Sequence, residues 1–211
     1  MPEETRVEFH RDLHEIDQRV MQLFALVAEG VAKATDALLS DDREAAESLA
    51  QEDAIIDQLT VDVEELVQRE FATQSPMAAD MRFLISVLRI VPELERSGDL
   101  AEHIASRAAR ASASLTPKIR GLIEQMGLVG TQMWREATDG YADRDAGVAA
   151  RLNEHDDELD ELHGRLTAEL VTGQLPVPIA LEMALVARFY ERLGDHAVNI
   201  GERIRYITDG V

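Results

Sequence analysis

A thirteen-residue segment occurs twice in the chain and decides how the rest is organised. Residues 95–107 read ERSGDLAEHIASR, and residues 191–203 read ERLGDHAVNIGER. Both copies fit the pattern E-R-x-G-D-x-A-x-x-I-x-x-R, and a second match pairs DAIIDQL at 53–59 with DDELDEL at 156–162. Such internal similarity indicates two copies of one supersecondary unit. We therefore expect two tandem domains, residues 1–115 and residues 116–211.

The apolar residues around these motifs recur with the spacing of long amphipathic helices. One stripe follows alternating steps of four and three residues: Phe9, Leu13, Ile16, Val20, Leu23 and Val27. The chain predicts helices at about 6–39, 41–72, 76–113, 117–141, 143–172 and 178–208. Short connections place consecutive helices side by side and antiparallel. The sequence thus predicts an all-α protein, two symmetry-related three-helix bundles in tandem with six long antiparallel helices.

Three short segments mark expected helix starts. Ser40 to Glu44 reads as a capping box that ends the first helix and begins the second. Ser75-Pro76 and Thr116-Pro117 each have the pattern of an N-cap followed by proline at the first helical position. We therefore expect the third and fourth helices to begin at these prolines.

Charge and composition exclude several classes of protein. The chain has 41 Asp and Glu against 21 Lys and Arg, a net charge of −20, which disfavours nucleic acid because duplex binding needs basic side chains. It has no cysteine, so any metal site must use oxygen or imidazole ligands. The acidic N-terminus does not read as a signal peptide, and no apolar stretch reaches the roughly 18 residues of a membrane span. We expect a cytoplasmic protein.

Acidic residues four apart recur at matching places in the two copies. Chance places several such pairs in so acidic a chain, but repetition at equivalent positions is harder to dismiss. If the second and third helices of each copy lie side by side, four carboxylates converge on one surface. Such a surface suits hard cations, and iron or zinc where imidazole joins. The candidate metal ligands are Asp53, Asp57, Glu95, Asp99, Asp156, Asp160, Glu191 and Asp195.

An alternative is that arginines of adjacent helices neutralise these carboxylates: Arg96, Arg107, Arg192 and Arg203. Four histidines lie nearby in sequence, for which a solvated or capping role is favoured over ligation: His103, His155, His163 and His196. Gly98 and Gly194 lie inside helices and between the acids, where glycine costs about 1 kcal/mol relative to alanine. We expect both glycines to allow close approach of a neighbouring helix or of a ligand.

The doubled motif resembles the PhoU family of phosphate-signalling regulators. SPMAADMR at 75–82 is similar to that family's P-x-A-x-D-L-R sequence at the third helix, and the similarity extends over essentially the whole chain. The resemblance implies two three-helix bundles, often dimeric, whose acidic motifs bind metal ions, including iron or zinc clusters. The carboxylate chemistry of the motifs also allows manganese or magnesium. It implies no catalytic residues.

The resemblance also implies a function. PhoU-like proteins are negative regulators of phosphate uptake and of the phosphate regulon. They act as cytoplasmic adaptors between the phosphate ABC transporter and a sensor histidine kinase. Two other hypotheses remain open from the residues alone: a metal-dependent phosphohydrolase, and a metal-free helical dimerisation module. The first predicts turnover of a phosphoester, and the second predicts purified protein without metal.

Overall fold

The computed structural model describes residues 3–107 and 115–210, with side chains from Val7 onward, and these ranges contain helices and no strand. The helices are α1 Glu3–Ser40, α2 Arg43–Thr73, α3 Ala79–Ala105, α4 Pro117–Asp143, α5 Val148–Leu170 and α6 Val177–Asp209. The predicted all-α class is confirmed. None of the helices in the described ranges is long and apolar enough to cross a membrane.

Four helices form the centre of the molecule. α1 packs on α3 and α4, and α6 packs on the same two helices from the other side. α2 covers α1 and α3, while α5 covers α4 and α6. The buried apolar side chains of both copies form one continuous core. The two three-helix units are therefore packed broadly against each other through α1 with α4 and through α3 with α6.

The α3 and α6 helices run antiparallel. Ser97 near the middle of α3 lies against His196, whereas Arg107 just beyond the end of α3 reaches Glu182 near the start of α6. The repeated motifs therefore meet at the centre of this pair. Each motif helix has one neighbour from its own copy and one from the other copy.

The α1 and α4 helices cross closely at a glycine. A Cβ at Gly127 would lie 2.2 Å from the Cγ2 atom of Thr35. The hydroxyl of Thr35 lies 2.8 Å from that of Tyr190, so α6 joins the same contact. Only glycine fits this crossing without displacing the threonine.

Helix starts agree with the sequence at two of three places. Thr116 caps α4 by accepting a hydrogen bond from the Ile119 amide at 3.3 Å, with Pro117 in the first turn, as predicted. Asp42 caps α2 through the Ala45 amide at 3.0 Å. The predicted start of α3 at Pro76 is wrong, because Ala78 takes a left-handed φ of 50° and the helix begins after it.

The C-terminal end of α3 also differs from the expectation. α3 ends at Ala105, earlier than the predicted residue 113, and residues 108–114 lie outside the described ranges. Pro92 lies inside α3, which continues as one helix through it.

Several charged contacts join the first two helices of each copy, and one of them occupies corresponding positions in both copies. Lys33 of α1 donates to Glu52 of α2 at 2.8 Å. In the second copy, Glu136 of α4 lies 3.2 Å from the His155 ring of α5. Glu52 interrupts the apolar stripe of α2 between Leu49 and Ile56, and Lys33 compensates for its position there.

Candidate metal-binding clusters

The eight predicted ligands form two groups, one in each copy. The first acidic cluster comprises Asp53 and Asp57 of α2 with Glu95 and Asp99 of α3, and the second comprises Asp156 and Asp160 of α5 with Glu191 and Asp195 of α6. The helix pairs α2–α3 and α5–α6 bring these carboxylates within electrostatic range of one another. The structure therefore places the residues of each set together, as the repeated spacing predicts.

A glycine opposite each cluster allows the helices to approach. A Cβ at Gly98 would lie 3.2 Å from Asp53 Oδ1 and 2.8 Å from Ile56 Cδ1. A Cβ at Gly194 would lie 2.4 Å from Asp156 Oδ1. The predicted role of these glycines in close helix approach is confirmed. The glycine of the motif makes room for a carboxylate from the neighbouring helix.

The clusters hold concentrated negative charge. Burial, followed by the charges of Asp99 and Asp57, raises the pKa of Asp53 to about 6. Burial, followed by Asp160 and Asp195, raises the pKa of Asp156 to about 6 as well. Ordinary aspartate titrates near 4, so each cluster destabilises the ionised form of its most buried member.

Further carboxylates contribute to this charge. Glu102 raises the pKa of Asp53, Glu64 raises that of Glu95, and Asp157 raises that of Asp156, each as a smaller cause than burial. The sequence search missed them because it looked only for pairs four residues apart that recur in both copies. Glu102 follows Asp99 by three residues, a spacing that also shares a helix face.

The observed ion pairs do not support the alternative that the motif arginines neutralise the clusters. Arg96 pairs with Glu93 at 3.6 Å, and Arg107 pairs with Glu182 at 3.1 Å, both outside the clusters. The charge of Arg96 also lowers the pKa of Glu95, but burial and the neighbouring acids outweigh it, and the pKa is raised. Among the residues that the structure describes, Glu191 alone of the eight forms an ion pair, with Arg188 of its own helix. The clusters are thus largely uncompensated by protein cations.

Two buried carboxylate oxygens in the clusters have no hydrogen-bond partner, Oδ1 of Asp53 and Oε2 of Glu191. A buried unpaired carboxylate oxygen is costly, so each is an unused ligand atom in a position to accept a cation. Within residues 3–107 and 115–210, however, no three carboxylate or imidazole side chains are already grouped as a metal site. Any cation would have to draw the carboxylates together by side-chain rotation.

The nearby histidines make other contacts. His196 is buried, with Nδ1 3.0 Å from the Ser97 hydroxyl, and burial lowers its pKa to about 4, with Arg192 and Arg96 adding to the effect. His103 stacks on Phe189, and His155 lies beside Glu136. His196 therefore does not have the expected solvated or capping role, because it is buried between α3 and α6 against Ser97.

Comparison with known proteins decides the family. The model of the PhoU domain matches twice, at residues 20–108 and 123–204. The chain belongs to the PhoU family. Each PhoU match contains one complete acidic cluster, so the repeat inferred from the twin motifs is also the repeat of the family.

PhoU relatives align over nearly the full chain. The phosphate-specific transport system accessory protein PhoU homolog 2 of Mycobacterium tuberculosis is 31% identical, covering 97% of this chain and 98% of its own length. The PhoU homolog of Aquifex aeolicus is 35% identical, covering 95% of this chain and 92% of its own. Crystal structures of PhoU from Pseudomonas aeruginosa and Streptococcus pneumoniae superpose with TM-scores of 0.90 and 0.87. They are 30% and 29% identical, covering 96% of this chain and 100% and 98% of theirs.

Proposed function

We propose that this PhoU-family protein regulates a phosphate transport system as an accessory protein of the transporter. The observation that carries the proposal is the alignment, over almost the whole chain, with relatives named as phosphate-specific transport system accessory proteins. Both copies of the PhoU domain are present in this chain, as they are in the family match. The family is a regulatory one, and we accordingly assign the chain no catalytic role.

More specifically, we propose that the protein is a cytoplasmic adaptor. The protein contacts the cytoplasmic side of the phosphate ABC transporter and a sensor histidine kinase, and represses the phosphate regulon when phosphate is plentiful. We propose that it acts as a homodimer. The broad packing between the two copies supports a rigid adaptor. The α3–α6 and α1–α4 contacts hold the outer surfaces of the two copies in one orientation relative to each other.

We propose that the two acidic clusters hold metal ions. Their donor atoms are carboxylate oxygens, which suit magnesium and manganese and are also accepted by iron and zinc. A cation would satisfy the unpaired oxygens of Asp53 and Glu191 and relieve repulsion within each cluster. A bound ion would have a structural role, because its positive charge would hold α2 against α3 and α5 against α6.

Deletion of the gene tests the regulatory proposal. In phosphate-rich medium, the deletion strain should express phosphate-starvation genes, measured by a transcriptional reporter, and the wild-type gene should restore repression. Unchanged reporter expression would contradict the regulatory proposal. Phosphoester turnover by the purified protein would instead favour the hydrolase hypothesis.

A thermal denaturation series tests the metal proposal. Protein stripped with a chelator should gain thermal stability when magnesium, manganese, iron or zinc is added, because binding to the folded state shifts the unfolding equilibrium. The double variant Asp57→Asn and Asp160→Asn should lose most of this gain. The charge-matched control Glu47→Gln and Glu161→Gln, at exposed positions of the same helices, should retain it. No gain with any of the four ions, supported by metal-free elemental analysis, would favour the metal-free module.

A further inference from the structure

The metal proposal uses the acids of the twin motif but leaves its arginines without a role. Each motif has arginine at its second and thirteenth positions, and the four side chains form what we term the arginine seam: Arg96, Arg107, Arg192 and Arg203. The motif acids face α2 and α5, as the contacts of Gly98 and Gly194 show. The seam instead follows the line where α3 meets α6.

One end of the seam surrounds a single carboxylate. Arg96 lies 3.6 Å from Glu93, and Arg192 and Arg203 of α6 are within electrostatic range of the same carboxylate. Arg192 and Arg203 are exposed and form no ion pair with the residues that the structure describes. Three guanidinium groups thus share one glutamate.

The other end of the seam contains the residues that the repeat relates to Glu93 and its partners. Arg107 lies over the ring of Phe189 at 4.6 Å and pairs with Glu182, and His103 stacks on the same ring. Phe189 occupies the motif-related position of Glu93, His103 that of Asn199, and Arg107 that of Arg203. The Glu93 contacts with Asn199 and Arg203 therefore recur as the Phe189 contacts with His103 and Arg107.

Symmetry places both ends on one face of the molecule. A two-fold axis exchanges two antiparallel neighbouring helices only if it is perpendicular to the plane that contains them. Such an axis keeps repeat-related side chains on the same side of that plane. The side opposite the core is the exposed one, where the Arg96 side chain is 53% accessible, whereas that of Arg107, packed on Phe189 and paired with Glu182, is 16% accessible. From Glu93 to the end of α3 the seam extends about 18 Å at 1.5 Å per residue.

The seam has an excess of positive charge. Its four arginines meet three carboxylates, Glu93, Glu95 and Glu182, in a chain whose net charge is −20. At physiological salt, charges more than about 8 Å away are largely screened, so the local excess decides what binds in contact with the seam. Arginine also presents planar paired donors that match carboxylate geometry.

We propose that the arginine seam is a docking surface for an acidic segment of a partner protein, whose Asp and Glu side chains pair with the motif arginines. An extended row of arginines fits a segment with carboxylates along its length better than one small anion. The aromatic ring of Phe189 and the unpaired Arg192 and Arg203 lie within the same surface. This inference goes beyond the proposed regulatory function and does not depend on metal in the acidic clusters.

Fluorescence anisotropy with a labelled poly-L-glutamate peptide tests the proposal on the full-length protein. Binding should be measurable at 50 mM NaCl and should weaken as salt rises, although the chain as a whole is strongly acidic. The double variant Arg96→Gln and Arg192→Gln should raise the Kd at least tenfold. The matched control Arg135→Gln and Arg165→Gln changes the net charge equally on other surfaces and should alter the Kd less than twofold.

Three results would overturn the proposal. The first is an absence of poly-L-glutamate binding by the wild-type protein. The second is an equal loss in both double variants, which would mean general electrostatics. The third is displacement of the peptide by inorganic phosphate at a concentration where equal ionic strength of chloride has no effect, which would indicate a small-anion site.

Circular dichroism and melting temperature establish that each variant is folded. Arg96→Lys and Arg192→Lys, which keep the charge, should restore part of the affinity.

Discussion

At the scale of single residues, glycine determines how closely the helices pack. Gly98 and Gly194 admit a carboxylate from the next helix, and Gly127 admits Thr35 at the α1–α4 crossing. The sequence indicated the first two because they recur inside a repeated motif. Gly127 carried no such signal, since nothing in its own helix reveals which neighbour will cross there.

Replacement of Gly127 tests this packing. Gly127→Ala should lower the free energy of unfolding by about 1–3 kcal/mol, because the added methyl group overlaps Thr35 in a buried contact. Gly164→Ala is the control, since a Cβ there meets nothing within 4 Å and alanine favours the helix by about 0.5–1 kcal/mol. Urea denaturation measures both. A stabilised Gly127→Ala variant would contradict the described crossing.

Glu70 provides a pH-dependent test at a single residue. Its side chain is 2% accessible and one carboxylate oxygen has no hydrogen bond. Burial, followed by the nearby Asp12, raises its pKa from the ordinary 4.5, with Arg69 partly opposing the shift. The folded state therefore prefers the protonated form, and ionisation of Glu70 costs stability.

The stability cost of ionised Glu70 depends on pH. Below pH 4.5 Glu70 is protonated in both states and costs nothing, while above its folded pKa it is ionised and the full cost applies. Glu70→Gln should therefore raise the melting temperature at pH 7, and this gain should shrink as the pH falls toward 4.5. The exposed Glu65→Gln is the control, without a comparable gain. A Glu70→Gln gain that grows on acidification would refute this assignment.

At the scale of secondary structure, the helices were predictable and their ends only partly so. The apolar stripes define each helix because the period of 3.6 residues is read within one segment. The start of α4 was predicted because Thr116 and Pro117 act locally. The start of α3 was not, because Ala78 adopts a left-handed backbone that no local residue preference signals and Pro76 is buried.

The α4 cap gives a prediction at this scale. Thr116→Ala removes the hydrogen bond to the Ile119 amide and should cost about 1 kcal/mol of unfolding free energy. Thr116→Ser retains a hydroxyl acceptor and should cost much less. Chemical denaturation compares the two variants. Equal losses would show that the hydroxyl does not cap the helix.

At the scale of the whole molecule, the two copies share one core. Periodicity shows which face of a helix is apolar but not which helix will cover it, so the pairing of α3 with α6 and of α1 with α4 was not predictable. The acidic clusters were predictable because their partners lie in the same copy. The contacts of His103 and His196 and the positions of the motif arginines depend on the pairing between copies.

Separating the copies tests this shared core. Residues 1–115 and 116–211 produced as separate chains should each lack a cooperative thermal transition, because each exposes the apolar surfaces of two helices that the other half normally covers. Differential scanning calorimetry on the full chain should give a single transition. Two separate transitions, or cooperative melting of either half, would show independent domains.

The contact between Lys33 and Glu52 in the first copy has reversed polarity in the second, and this affects which helices can exchange. Lys33 meets Glu52 in the first copy, whereas Glu136 meets His155 at the corresponding positions of the second. If α2 and α5 changed places, Glu52 would face Glu136 and Lys33 would face His155. Such an arrangement replaces attraction by carboxylate repulsion, a means of discriminating against wrong partners. At this contact, exchange of α2 and α5 is therefore disfavoured, both within one chain and between two molecules.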